Sequence, residues 1–272
     1  MSWKIFIITH GPVIDNYYEK DLSFSNEHYT FINVSNELIS HSKFEVVNKN
    51  EIKDFIHLGK WYAEGEAIYN VFKNNLYDEY DYIGFLHWDY ELLSEITYLG
   101  SNITSIIDKI IDKKNQFISF STFRFEDDYN QKIMMDNNYP DQLVGEGKNC
   151  WETIISDYNR YFKNDIDVEY LMTKRINLCS AFMCNKLIFE DLMGFYSEII
   201  ESKKLDFFDS NHQYRFQGGM LERYIGCFSH KFSMVELPLY HRWSGSSQTF
   251  SIPLKKRIKS KILNLWKKLI KK

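Results

Sequence analysis

His87, Trp88, Asp89, Tyr90 and Glu91 stand together just past a short apolar run, Tyr82 to Leu86. On an extended chain residues i and i+2 point the same way, so Asp89 and Glu91 could face one cation. Hard divalent ions such as Mg²⁺ and Mn²⁺ take oxygen ligands and bridge to phosphates, including the diphosphate of a nucleotide sugar. His241, after a later apolar run, could complete such a metal site or contact a phosphate. A second carboxylate, Glu222, follows Gly218 and Gly219 and precedes Arg223. The paired glycines read as a helix entrance, which puts Glu222 in the first turn, where the helix dipole favours a carboxylate. A carboxylate fixed in this way could take a proton from an acceptor hydroxyl. Each of these residues also has an ordinary reading: a solvated strand end, a surface Glu–Arg pair, a loop histidine. None of the phosphate-loop, dinucleotide-binding, serine-hydrolase or zinc-protease signatures occurs, which removes the commonest rival enzyme classes.

The elements needed to position these groups can be read from periodicity. Lys4 to Thr9 reads as a first buried strand, broken after His10 by Gly11 and Pro12. Thr9 and His10 thus fall at a strand edge where a nucleotide could lie. Tyr29 to Val34 is a second strand, and Phe44 to Asn50 a short extended piece. Glu64 to Asn75 carries Ala67, Ile68, Val71 and Phe72 on one helical stripe, flanked by Glu64, Tyr69, Lys73 and Asn74. The central strand, Tyr82 to Leu86, follows it. Asn102 to Lys114 reads as an amphipathic helix, Gln116 to Ser121 as a strand, and Arg124 to Asn149 as a long polar loop. After a helix over Trp151 to Phe162, Asn177 to Cys184 reads as one buried strand and Lys186 to Lys203 as a long helix. A helix starts at Met220, and Phe232 to Leu239 reads as a last strand. The state of Asp165 to Lys174 is left open. Strand and helix alternating over the first 120 residues imply an α/β fold, a mainly parallel sheet with helices on both faces.

Composition sets the outer bounds. The chain has 44% hydrophobic and 26% charged residues, ordinary for a globular protein, with 19 Tyr and 21 Phe suited to flat ligands or to a core. Cys150, Cys179, Cys184 and Cys227 lack metal-ribbon spacing and read as buried free thiols of a reducing compartment. No stretch is long enough to span a bilayer, and the body is expected in the cytoplasm. Nine of the 33 basic residues lie between Leu254 and Lys272, a segment without an acidic residue. The remainder then holds 24 basic against 37 acidic residues, which argues against nucleic acid as a partner. Leu254, Ile258, Ile262, Leu265, Trp266 and Leu269 follow helical spacing among those lysines. A basic amphipathic helix of this kind lies in an anionic membrane interface without crossing it. Two units follow: a body over 1–250 and a membrane-associating tail over 251–272.

Three segments resemble the bacterial capsule and O-antigen glycosyltransferases of the GT-A type. Glu64, Ala67, Tyr69, Lys73 and Asn74, followed by YIGFLHW, are similar to that family's E-x-x-A-x-Y-x-x-x-K-N helix and its apolar strand ending in His-aromatic. Asn177 to Phe189 resembles its later strand with N-x-F-x-x-x-K-x-x-F, and Gly218 to Arg223 its G-x-x-x-E-R helix. The ordered set spans about residues 3 to 243. One departure is clear: the relatives carry arginines after the His-aromatic pair, where this chain has Asp89 and Glu91. The resemblance implies a GT-A-like fold and sugar transfer from a nucleotide-sugar donor to a glycan or lipid-linked acceptor. Donor contacts would come from Thr9, His10, Glu64, Lys73, His87, Trp88 and Arg223, with Glu222 and Asp89 as catalytic residues. A divalent cation, Mn²⁺ or Mg²⁺, would sit on Asp89, Glu91 and His241. The rivals are a nucleotidyl- or phosphotransferase acting on sugar phosphates and a non-catalytic, membrane-apposed glycan-binding protein.

Overall fold

The computed structural model describes residues 1–18, 21, 23–94, 103–111, 117–124, 147–207 and 216–241. The basic tail and most of the polar stretch after Arg124 lie outside the described residues. Seven strands make the central sheet: β1 (Trp3–Thr9), β2 (Tyr29–Asn33), β3 (Val46–Asn48), β4 (Tyr82–His87), β6 (Phe117–Ser119), β9 (Phe182–Asn185) and β10 (Met234–Glu236). Their order is β10-β6-β9-β4-β1-β2-β3. β1 pairs in parallel with β2 and β4, β2 with β3, and β6 with β10, while β9 runs antiparallel to both β4 and β6. Every residue of β1 and β4 is buried, as expected of strands covered on both faces.

The period of two along β1 divides the core into two layers. Phe6 and Ile8 face a layer built with α2 (Glu64–Lys73), α4 (Gly147–Phe162), α6 (Lys186–Glu201) and α7 (Phe216–Ser229). Ile5 and Ile7 face the other, with α1 (Asp15–Tyr18), α3 (Ile103–Ile110) and β5 (Tyr90–Ser94). The expected α/β fold, mainly parallel with helices on both faces, is therefore the observed one. A short helix, α5 (Val168–Met172), occupies the stretch left open by the sequence, capped by the Asp167 side chain on the Tyr170 N–H at 2.7 Å.

Several elements differ from the expectation, each for a local reason. Asn177 to Cys184 is not one strand: it contains the end of β8 (Arg175–Asn177) and most of β9. Cys179 and Ser180 between them adopt left-handed backbone, φ 59° and 47°, and turn the chain from one strand to the next. Phe232 to Leu239 likewise splits into β10 and the start of β11 (Leu239–His241), which leaves the main sheet to pair with β5. Pro238 between them has no N–H to continue a ladder. β7 (Thr122–Arg124) pairs with β8 as a separate ribbon.

The chain runs outward from β1 to β3, then returns through α2 to place β4 on the other side of β1. Carboxyl ends of β1 and β4 thus lie side by side where the winding reverses, with Ile8 opposite His87. Open α/β sheets bind ligands in that crevice.

Candidate functional site

Three elements deliver side chains to the carboxyl end of β4. His87 is its last residue. Glu64 is the first residue of α2, which runs back from that edge of the sheet, and Glu222 is on α7. One donor atom from each of Glu64, His87 and Glu222 lies within 4.8 Å of the others. Glu64 and His87 are 5% and 6% exposed, and Glu222 is half-buried. His87 Nδ1 lies 3.8 Å from Glu64 Oε1, and the more exposed His10 brings its Nε2 to 3.4 Å from the same oxygen.

Close packing makes this convergence possible. A Cβ on Gly65 would lie 2.7 Å from Leu221 Cδ1 and 2.9 Å from the Tyr196 hydroxyl. A Cβ on Gly218 would lie 3.0 Å from the Tyr62 carbonyl oxygen and 3.1 Å from Ala63 Cβ. Glycine at these two positions lets Leu221 of α7 close on the start of α2 and lets α7 pack against the Tyr62–Ala63 segment that enters α2, so that Glu64 and Glu222 meet. Ala63, just before Glu64, has φ 48° and ψ −128°, a strained conformation for a residue with a Cβ. The Gly59 and Leu58 N–H groups donate to Glu66 Oε2 at 3.0 and 2.7 Å and anchor the loop that enters α2. The first turn of a helix is a favourable place for both Glu64 and Glu66.

The wall of the site is buried and protonated. Burial, with Glu222 beside it, pushes the Cys179 thiol up to about 12, which disfavours its thiolate. Burial raises the Tyr90 phenol well above its ordinary value, and Cys179, Asp89 and Glu222 add to the effect. Tyr196 on α6 is raised in the same way by burial and then by Glu222 and Glu64. Three groups around Glu222 therefore disfavour further negative charge. Cys150, Cys179, Cys184 and Cys227 are all free thiols, as the sequence suggested, Cys179 half-buried and the others buried.

The other anticipated residues fall into place around this centre or away from it. Asp89 is half-buried, not on a strand but in the two-residue turn Trp88–Asp89 that joins β4 to β5. The extended i, i+2 geometry expected for Asp89 and Glu91 is therefore broken by the turn. Glu91 is 3% exposed on β5, opposite Tyr240, and His241 pairs through its backbone with Tyr90. Trp88 fixes the turn: its N–H donates to the Ile8 carbonyl at 2.8 Å, and its own carbonyl accepts from Tyr18 Oη at 2.7 Å. Thr9 is buried and donates its hydroxyl to the Gly11 carbonyl at 2.6 Å. Glu222 and Arg223 are not in a first turn. α7 already includes Phe216 to Gly219, and Gly218 serves contact with the Tyr62–Ala63 backbone. Arg223 is buried and donates to the Gly219 carbonyl at 2.9 Å. Lys73 stands at the opposite end of α2 from Glu64, on Glu201 of α6 at 2.6 Å. Tyr196 and Gly65 were missed; a glycine inside an otherwise well-formed helical stripe was the one available signal.

No protein-family model matches the sequence, and no curated protein does. Among solved structures the chain is similar to the apo form of the WbbM bifunctional glycosyltransferase, with TM-score 0.55 and 13% identity. That likeness covers 92% of this chain and 48% of WbbM, so the chain spans about half the length of that relative. Lower on the scale stand the mannosyltransferase Ktr4p from S. cerevisiae and core-mannan synthase A from Aspergillus fumigatus in its Mn/GDP form. The first has TM-score 0.40, 11% identity and coverage of 93% and 76% of the two chains. The second has TM-score 0.41, 7% identity and coverage of 94% and 82%. The mainly parallel sheet, its helical layers and the likeness to WbbM define a glycosyltransferase fold of the GT-A-like class.

Proposed function

We propose that the chain is a glycosyltransferase that moves a sugar from a nucleotide-sugar donor onto a growing bacterial surface polysaccharide, with a lipid-linked acceptor. The observation that carries this reading is the meeting of Glu64, His87 and Glu222 at the carboxyl end of β4, within a fold of this class. The nucleotide would lie along the β1–β4 edge, over Thr9, His10 and Trp88, and the transferred sugar over the carboxylates. Two carboxylates repel an incoming diphosphate, so the site needs positive charge before it can receive a donor. A divalent cation, when bound, supplies that charge and stabilises the leaving diphosphate. Glu222 is half-buried where Glu64 is closed, so it is the carboxylate of the cluster that a ligand reaches. Asp89, at the turn beside it, is the second acidic group facing the donor.

Incubating the chain with a panel of nucleotide sugars and Mn²⁺ tests the reading. Release of nucleoside diphosphate from one of them is expected. Release of pyrophosphate would make the protein a nucleotidyltransferase, and no turnover, with Glu222 and Asp89 dispensable in cells, a binding protein. The basic segment 254–272 is proposed to hold the body on the cytoplasmic face of an anionic membrane. Truncation at Ser251 should abolish co-sedimentation with anionic vesicles and spare turnover of a soluble acceptor. Persistent sedimentation of the truncated chain would remove the membrane role.

A further inference from the structure

We infer that Glu64, His87 and Glu222 form the cation site of this protein and that it takes a first-row transition ion, Mn²⁺ or a close relative, in preference to Mg²⁺ or Ca²⁺. The inference draws on the glycosyl-transfer reading only for what the ion would be used for; the coordination stands on the side chains themselves. Three donor atoms lie within 4.8 Å of one another, and the Glu64–His87 pair is at 3.8 Å. Metal bonds of about 2.0–2.2 Å bring neighbouring ligand atoms to roughly 3–3.5 Å apart, so about an ångström of closure completes the arrangement. Glu222 has the long, half-buried side chain that can supply it, while Glu64 and His87 are buried.

Two further observations point to a ligand here. His87 is 6% exposed, yet its Nε2 has no hydrogen-bond partner among the described residues. The Tyr196 hydroxyl, fully buried with Glu222 and Glu64 as its neighbouring charges, has none either. Leaving a buried polar group unmatched costs about 1–3 kcal/mol, so the Tyr196 hydroxyl beside the two carboxylates calls for an occupant. A hydrated cation supplies one: the phenol can hydrogen-bond to a metal-bound water, and the imidazole can ligate through the Nδ1 that faces Glu64. The donor set chooses the ion. An imidazole nitrogen favours transition ions, whereas Mg²⁺ and Ca²⁺ prefer oxygen alone. Among the described residues, Asp89 and Glu91, the pair suggested by sequence, gather no third ligand as Glu64, His87 and Glu222 do.

The full chain, stripped with chelator, is titrated with Mn²⁺ and followed by electron paramagnetic resonance. One tightly bound ion per chain is expected, displaced by Zn²⁺ but not by equimolar Mg²⁺. Pulsed measurements on wild-type protein should show ¹⁴N coupling to the bound Mn²⁺, a test that needs no variant to fold. Glu64→Gln and Glu222→Gln should each weaken Mn²⁺ at least about tenfold, a loss of about 1.4 kcal/mol or more. Asp89→Asn should bind Mn²⁺ as wild type does. Absence of binding, absence of nitrogen coupling, or loss of the ion in Asp89→Asn alone would overturn the site. Donor turnover in excess chelator in a protein that binds no Mn²⁺ when the ion is added back would overturn the site and leave glycosyl transfer standing. A nitrogen-coupled Mn²⁺ in a protein that turns over no nucleotide sugar would support the site and remove the glycosyl-transfer reading instead.

Discussion

The α2–α7 junction and the β4–β5 turn lie next to each other and are built on opposite principles. At the turn, Trp88, Asp89 and Glu91 are neighbours in sequence, and two backbone contacts, to Ile8 and Tyr18, fix the chain. At the junction, Glu64, His87 and Glu222 come from three separate elements and meet where Gly65 makes room for Leu221 of α7 and Gly218 for the segment entering α2. The turn offers a half-buried carboxylate and a backbone that is already satisfied. The junction offers two nearly closed ionisable groups, Glu64 and His87, with a half-open third. Buried charge costs free energy unless it is matched, so the junction is the region whose composition calls for a purpose.

The largest test of this contrast is the relative weight of the two regions in turnover. Glu222→Gln is expected to lower kcat by about 10²–10⁴, the range expected when several kcal/mol of charge stabilisation is lost. Its melting temperature should scarcely move, since a half-exposed substitution without packing change stays within about 0.5 kcal/mol. Asp89→Asn should cost less. Steady-state kinetics on both variants decide the matter, and a deeper loss in Asp89→Asn would make the turn the reaction centre.

A smaller effect tests how the junction is assembled. Gly218→Val pushes a side chain against the Tyr62 carbonyl and Ala63, which are backbone and near-backbone atoms without freedom to withdraw. Overpacking of this kind costs about 1–3 kcal/mol. For a chain of this size that corresponds to roughly 2–4 °C in melting temperature per kcal/mol. Mn²⁺ affinity should fall with it, because Glu222 is carried away from Glu64. A variant as stable as wild type, with Mn²⁺ affinity intact, would mean that α7 does not need the close contact.

These two regions also mark how far the sequence could be read. β1, β2, α2 and β4 were legible because each is one uninterrupted run with one period, buried on the face that its pattern predicts. The α6 helix was legible for the same reason. β8 and β9 were not, since Cys179 and Ser180 take left-handed backbone inside an apolar run that reads as continuous, and neither is a glycine. The start of α7 was misread because Gly218 and Gly219 resemble a break, and only the opposite surface reveals that Gly218 serves contact. The site followed the same division. Glu64, His87 and Glu222 could each be picked out by local pattern, but their meeting depends on helix packing, which no spacing along the chain records.

The smallest effect concerns the end of α2 farthest from the site. Lys73 was expected at the donor, whereas its ammonium is 2.6 Å from Glu201, which also accepts from the Tyr69 hydroxyl at 3.0 Å. Lys73 holds the Glu201 carboxyl below its usual value, with Tyr69 adding, and Glu201 in turn raises Lys73. Both side chains are partly exposed, so the pair contributes about 0–1 kcal/mol. The carboxylate part of that stability is complete above the unfolded value of about 4.3 and is lost as pH falls through the lower folded value. The ammonium part is complete below about 10.4 and is lost as pH rises through the higher folded value. Lys73→Met should therefore melt slightly below wild type across the neutral range. The gap should close in acid, while kcat and donor affinity stay unchanged. Melting curves from acid to pH 8, with kinetics at neutral pH, measure both. A loss of donor affinity in this variant would return Lys73 to the site and extend the functional surface along the whole of α2.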